Sequence, residues 1–280
     1  MQFDASNPYH RHMLHYESDN QLSVPELIAY GSVDAQTAAI LWFLLDRRAS
    51  FMISGPTDPT PGVGKTTTLN SLLPFYPAQT GMVYTLGMYE EFDFIGETDP
   101  ATTTVLANEV SNHLRIYMWG RKARRFLDLP ERGYAIATTC HADTIDDVLQ
   151  MLTNDLSLGT KTIQNLRVIV NIGLYGMGWP QKRRWLTTHF VVPATSAIAV
   201  EDASATESPL VLKQITRWDA ATDTFTSPDA DAVQALATWA GITPEAFTKD
   251  IAARTACLEQ MAADELDYDV AVAKIQAFKV

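Results

Sequence analysis

The stretch 50-SFMISGPTDPTPGVGKTTTLN-70 decides how the chain reads. It closes on Gly64-Lys65-Thr66, the end of a phosphate-binding loop, but the usual spacing G-x-x-x-x-G-K-[ST] puts Pro59 where the first glycine belongs. Removing Asp58-Pro59-Thr60-Pro61 leaves G-P-T-G-V-G-K-T, a full match with Gly55 as first glycine. A short apolar strand precedes the loop and a helix is expected from about Lys65 to Leu73, which is the setting such a loop needs. Consecutive backbone N–H groups at a helix N-terminus wrap a phosphate, a lysine meets the β- and γ-phosphates, and a hydroxyl holds Mg²⁺. The expected nucleotide ligands are Gly55, Gly62, Val63, Gly64, Lys65, Thr66 and Thr67, with the prolines of 58–61 forming an outward bulge.

Outward from the loop, further apolar runs bounded by turn residues lie at 81–86, 103–107 and 133–139, alternating with helical patterns at 113–129 and 143–152. This alternation predicts an α/β layered fold with a mainly parallel sheet flanked by helices. Leu27, Ile28, Ala38, Leu41, Trp42 and Leu45 recur at helical spacing, with Ser23 and Asp34 as N-caps and Gly31 between two helices. After Leu166 the runs 166–175, 183–192 and 210–218 read as antiparallel strands, and 229–280 as two or three amphipathic helices. The expected division is a polar segment 1–22, a P-loop core 23–195, and a strand and helical appendage 196–280, with an exposed loop at 200–209. His10, His12 and His15 lie in the polar segment without a carboxylate or cysteine pattern around them and read as surface residues.

The formal net charge of −12 argues against a large nucleic-acid footprint. Cys140 and Cys257 have no metal or redox spacing, which fits a reducing cytoplasm. The apolar run 37–45 is too short to cross a bilayer, and residues 1–20, without an apolar h-region, are not expected to act as a signal peptide.

Two more features join the loop. Glu109 follows the strand "VLAN" and is placed to activate a water near Mg²⁺. His141 ends the strand 133–139 on the sheet edge where open α/β folds bind ligands, placed to sense a γ-phosphate. The cationic runs 120-GRKARR-125 and 181-QKRR-184 read as solvated faces or interfaces, with an arginine finger as the lesser reading.

The segments 22–73 around "GVGKTTTLNSLL", the "ANEV" strand end and "ATTCHADTIDDVLQML" together resemble the secretion and pilus traffic ATPases. The resemblance covers residues 22 to about 175 and, more loosely, the tail. It implies a RecA-like core, ATP hydrolysis with Mg²⁺, ring assembly with other ATPase subunits and docking on a membrane secretion or pilus platform. On that resemblance Lys65 and Thr66 hold phosphate and Mg²⁺, Glu109 is the Walker B glutamate and a second Mg²⁺ contact, and His141 is the His-box histidine. Glu91 matches the acidic box, where Gly87 and Met88 replace the usual acidic pair. Asn108-Glu109-Val110-Ser111 stands where the family has Gly-Glu-(Ile/Val)-Arg, and only about twenty residues precede the likeness, so the family's N-terminal domain is expected to be missing. The expectation is a cytoplasmic motor ATPase with slow turnover in isolation, reaching the membrane through partners. The alternative is a nucleotide-dependent switch that is not itself a motor.

Overall fold

The computed structural model describes residues 21–56, 62–176, 181–193 and 209–279. The inserted 58–61, the three N-terminal histidines and nearly all of the 200–209 loop lie outside the described residues.

Eight strands form one sheet: β1 (Ser50–Gly55), β2 (Gly81–Tyr84), β3 (Thr103–Val110), β4 (Ala135–His141), β5 (Leu166–Tyr175), β6 (Lys182–Val191), β7 (Leu212–Asp219) and β8 (Thr224–Phe225). Their spatial order is β2-β3-β4-β1-β5-β6-β7-β8. The first five in that order pair in parallel, and β6, β7 and β8 add on antiparallel. This is the expected α/β architecture. Strand β1, which feeds the glycine loop, sits at the centre between β4 and β5.

Parallel strands buried on both faces explain the near-continuous apolar runs. Along β1 the side chains alternate as a strand requires: Phe51 and Ile53 join one apolar layer and Met52 the other. The first layer holds α1 (Val24–Ala29) and α2 (Ala35–Asp46). Ser23 and Asp34 cap them as expected, Ser23 in a reciprocal box with Glu26. Helix α3 (Lys65–Leu72) follows the loop on the same face, and α4 (Gly120–Leu127), α5 (Ile145–Gln150) and α6 (Thr160–Ile163) cover the other. The C-terminal helices α7 (Ala230–Ala240), α8 (Pro244–Ala263) and α9 (Tyr268–Ala277) return to the first layer. Ten of the twelve residues of α2 are buried because α8 closes its outer side, so "TAAILWFLL" is a core helix.

Two expectations need correction. The helical pattern at 113–129 becomes helix only from Gly120. Met118 instead bridges back to Val110, donating its N–H to the Glu109 carbonyl (3.1 Å), and this extended pairing forbids helix upstream. Strand β3 does not stop before Glu109 but runs through it to Val110. The sheet and the first apolar layer run on past residue 195: Ile215, Leu236 and Phe247 share a core with Phe51 and Leu41.

Arg254 fastens that union. Its guanidinium is 4% exposed, donates to Asp250 at 2.7 Å and Asp46 at 2.8 Å, and lies 4.8 Å from the Trp42 ring centroid. Arg254→Ala is expected to destabilise the fold by about 3 kcal/mol, because it leaves the buried Asp250 carboxylate short of its main partner. Urea unfolding with an unchanged m-value is the check, and a loss below about 0.5 kcal/mol would make the pair incidental.

Candidate functional site

The loop is built by close backbone approach. A Cβ on Gly55 would sit 2.7 Å from the Ile172 carbonyl oxygen, so the end of β1 tolerates only glycine against β5. Gly64 has φ +97° and forms the N-cap of α3 with no side-chain capping bond, leaving the first N–H groups of the helix to a ligand. Val63 is buried beneath the loop, Gly62 is exposed, and Thr66 and Thr67 are half-buried on the first turn of α3. This local geometry is what a phosphate requires.

Lys65 folds back over the loop. Its Nζ lies 3.3 Å from the carbonyl oxygens of Gly55 and Pro56 and 3.0 Å from Nδ1 of His141. Burial pushes the lysine below its usual range, against the opposing pull of Glu109, Cys140 and Asp143. No carboxylate pairs with it directly among the described residues. An ammonium that is desolvated and held only by carbonyls and an imidazole is available to phosphate oxygens.

His141 stands at the end of β4, and its Nε2 is 2.7 Å from Oε1 of Glu109. A charged lysine can only donate, so Nδ1 is the acceptor of that contact and Nε2 is the ring nitrogen facing Glu109. Glu109 Oε1 approaches that nitrogen without the alignment of a hydrogen bond and remains a buried acceptor lacking one. Lys65, His141 and Glu109 therefore form one contact chain from the first residue of α3 to the ends of β4 and β3.

A bulge aims Glu109. Between Ala107, opposite Thr138, and Val110, opposite Cys140, β3 carries one residue more than β4. The extra residue bends the strand and re-aims the glutamate toward His141. Thr139 Oγ1 closes the bulge by donating to the Asn108 carbonyl at 2.8 Å. On the other side of β4, Asn171 donates to Ser54 Oγ (2.9 Å) and to the Asp143 carbonyl (3.0 Å), fixing the turn after His141. Cys140 lies inside this frame, its thiol pushed up to about 12 by burial, so it is structural rather than reactive.

The ligand groups fit a magnesium nucleotide: an uncapped helix start, a lysine held only by carbonyls and an imidazole, a hydroxyl at Thr66 and a buried carboxylate at Glu109. When bound, Mg²⁺ would neutralise charge developing between phosphate oxygens.

Not every expected residue joins the chain. Glu91 is exposed and pairs with Lys122 at 2.8 Å, and the contacts of Lys65, His141 and Glu109 do not include it. Its neighbour Glu90 is the buried one, spent on the backbone N–H groups of Leu86 and Phe92. Two cations of the 120–125 run are likewise engaged: Lys122 with Glu91, and Arg125 over the Phe92 ring at 4.7 Å. The residue missed by sequence reasoning is Arg183 on β6. Its Cδ would lie 3.4 Å from a Cβ on Gly64, and its Nη2 is 3.4 Å from the Gly62 carbonyl. Only the distant pairing of β6 with β5 brings it to the loop, and nothing local in 181–184 signals that.

No family profile matches the chain. An uncharacterized protein of Methanocaldococcus jannaschii is 22% identical over 274 residues, covering 91% of this chain and 97% of that protein. Another from the same organism is 43% identical over 58 residues, 21% of this chain and 10% of the relative. Among solved structures, the VirB11 ATPase of the Brucella suis type IV secretion system, in complex with sulphate, shares 14% identity at a TM-score of 0.34, covering 62% of this chain and 60% of that one. The Legionella pneumophila ATPase DotB shares 12% identity at a TM-score of 0.34, covering 88% of this chain and 62% of that one. The chain thus spans about three-fifths of the solved ATPases it matches, and its likeness to them is distant.

Proposed function

We propose that this chain binds ATP with Mg²⁺ at the 55–67 loop and hydrolyses it slowly, as a P-loop ATPase of the secretion or pilus motor type. The observation that carries the reading is the Lys65–His141–Glu109 contact chain beside an uncapped glycine loop. In it Lys65 binds the β- and γ-phosphates, Thr66 takes a place on the magnesium, and Glu109 accepts the proton of the attacking water. His141 fills the space between them and registers the release of Lys65 to phosphate.

Slow basal turnover follows from charge. Among the described residues, the contacts of Lys65, His141 and Glu109 include no arginine, so little positive charge meets the transition state. A second ATPase subunit or a membrane platform protein would supply it. No helix among the described residues is long and apolar enough to cross a membrane, so contact with a membrane assembly would run through such partners from the cytoplasm.

Phosphate release measured alongside sedimentation, at rising protein concentration with Mg²⁺ and ATP, tests this. Slow turnover whose specific rate climbs with self-association or with an added platform protein is expected. Bound ATP with no magnesium-dependent phosphate release under any of these conditions would instead establish a nucleotide switch, and absence of ATP binding would end the reading altogether.

A further inference from the structure

A cleft of about 510 Å³ opens beside the glycine loop, lined by Leu27, Tyr30, Gly64, Thr67, Arg183 and Trp185 among others. Ile172 of β5 and Arg183 and Trp185 of β6 form its wall, so it lies on the β5–β6 side of β1. His141 and Glu109 lie on the β4–β3 side. We infer that this cleft holds the nucleoside end of the nucleotide, with Tyr30 stacked on the base and Arg183 on the phosphate nearest the ribose, and that it discriminates weakly between purine bases. The inference rests on the phosphate-loop reading.

Three observations support it. The first is direction: phosphates wrapped by Gly62–Thr66 with Lys65 turned toward His141 have their reacting end on the β4 side, so the remainder of the molecule leaves on the other. The second is the ring. Tyr30 is 63% exposed although it lines a concave site, and an aromatic face left open there suits a planar base. Its backbone is fixed from beneath, since the Trp185 N–H donates to the Ser32 carbonyl at 2.8 Å and ties the turn to β6.

The third is which polar groups are already engaged. Lys182 and Arg184 both hold Asp223, at 2.8 Å each, and Gln181 donates to the Gly176 carbonyl at 3.2 Å. Arg183 has only a long contact to the Gly62 carbonyl, which leaves it the cation available to a ligand among the described lining residues. Telling adenine from guanine needs hydrogen-bonding groups committed to the exocyclic position of the base. With the polar lining groups of β6 so engaged, stacking dominates, and stacking tolerates any base.

Calorimetry with ADP, GDP and inorganic tripolyphosphate tests the inference. The wild-type protein should bind ADP and GDP within about fivefold of each other, and both more tightly than tripolyphosphate. Tyr30→Ala, a change at an exposed position, should weaken both nucleotides by about tenfold and leave tripolyphosphate unchanged, while Tyr30→Phe restores them. Arg183→Ala should weaken ADP and ATP by the same factor, whereas a role at the γ-phosphate would strike ATP alone. Equal binding of ADP in Tyr30→Ala and wild type overturns the cleft assignment with the phosphate loop intact, and ADP preferred over GDP by a hundredfold overturns the weak selectivity. Failure of the wild type to bind either tripolyphosphate or ADP would instead remove the phosphate-loop reading beneath it.

Discussion

Lys65→Ala is expected to lower ATP affinity by about a hundredfold or more while leaving the protein folded. In the proposed function the ammonium meets the β- and γ-phosphates, and charge-assisted hydrogen bonds in a half-buried site contribute about 1.5–3 kcal/mol each. In the resting site the same nitrogen makes only carbonyl and imidazole contacts, and burial already disfavours its charge. Removing it therefore takes little from stability and much from binding. Calorimetric titration of ATP, run beside a thermal melt, separates the two. Equal affinity in variant and wild type would detach the glycine loop from nucleotide.

Glu109→Gln should cut phosphate release by about a thousandfold with ATP still bound. The amide keeps the size of the carboxylate and one of its acceptors but cannot take a proton from water. Oε1 of Glu109 is buried 2.7 Å from His141 Nε2 and takes no aligned hydrogen bond, which suits the base role proposed for it. Single-turnover measurement with filter binding distinguishes loss of chemistry from loss of substrate. Turnover within a factor of three of wild type would return Glu109 to a structural part of the β3 bulge.

Much of this was legible in the chain. Caps at Ser23 and Asp34, the strand–loop–helix around Lys65, and the strand ends at Glu109 and His141 are local signals, each set by a few neighbouring residues. What the sequence misplaced depends on long-range pairing. The stretch 113–119 has helical spacing, but Met118 is captured by Val110. Glu91 carries the charge of an acidic box, yet the turn after β2 directs it to Lys122. Arg183 and Arg184 are adjacent and chemically alike. The pleat buries Arg184 against the exposed Asp223 and turns Arg183 to the glycine loop. No reading of a four-residue basic run could separate them.

The two ends of the sheet carry a consequence for how copies of this chain can meet. At one edge β2 has four residues, and at the other β8 has two. Beyond β8, Thr226 continues to occupy β7 by exchanging hydrogen bonds with Thr216 and Arg217. Among the described residues, edges this short offer little template for adding a strand, which is how many β proteins come to polymerise or fibrillise. Were these subunits to form the proposed assembly, side chains on loop and helix surfaces would zip it together. Such a joint can open and close with each nucleotide without tearing a backbone ladder.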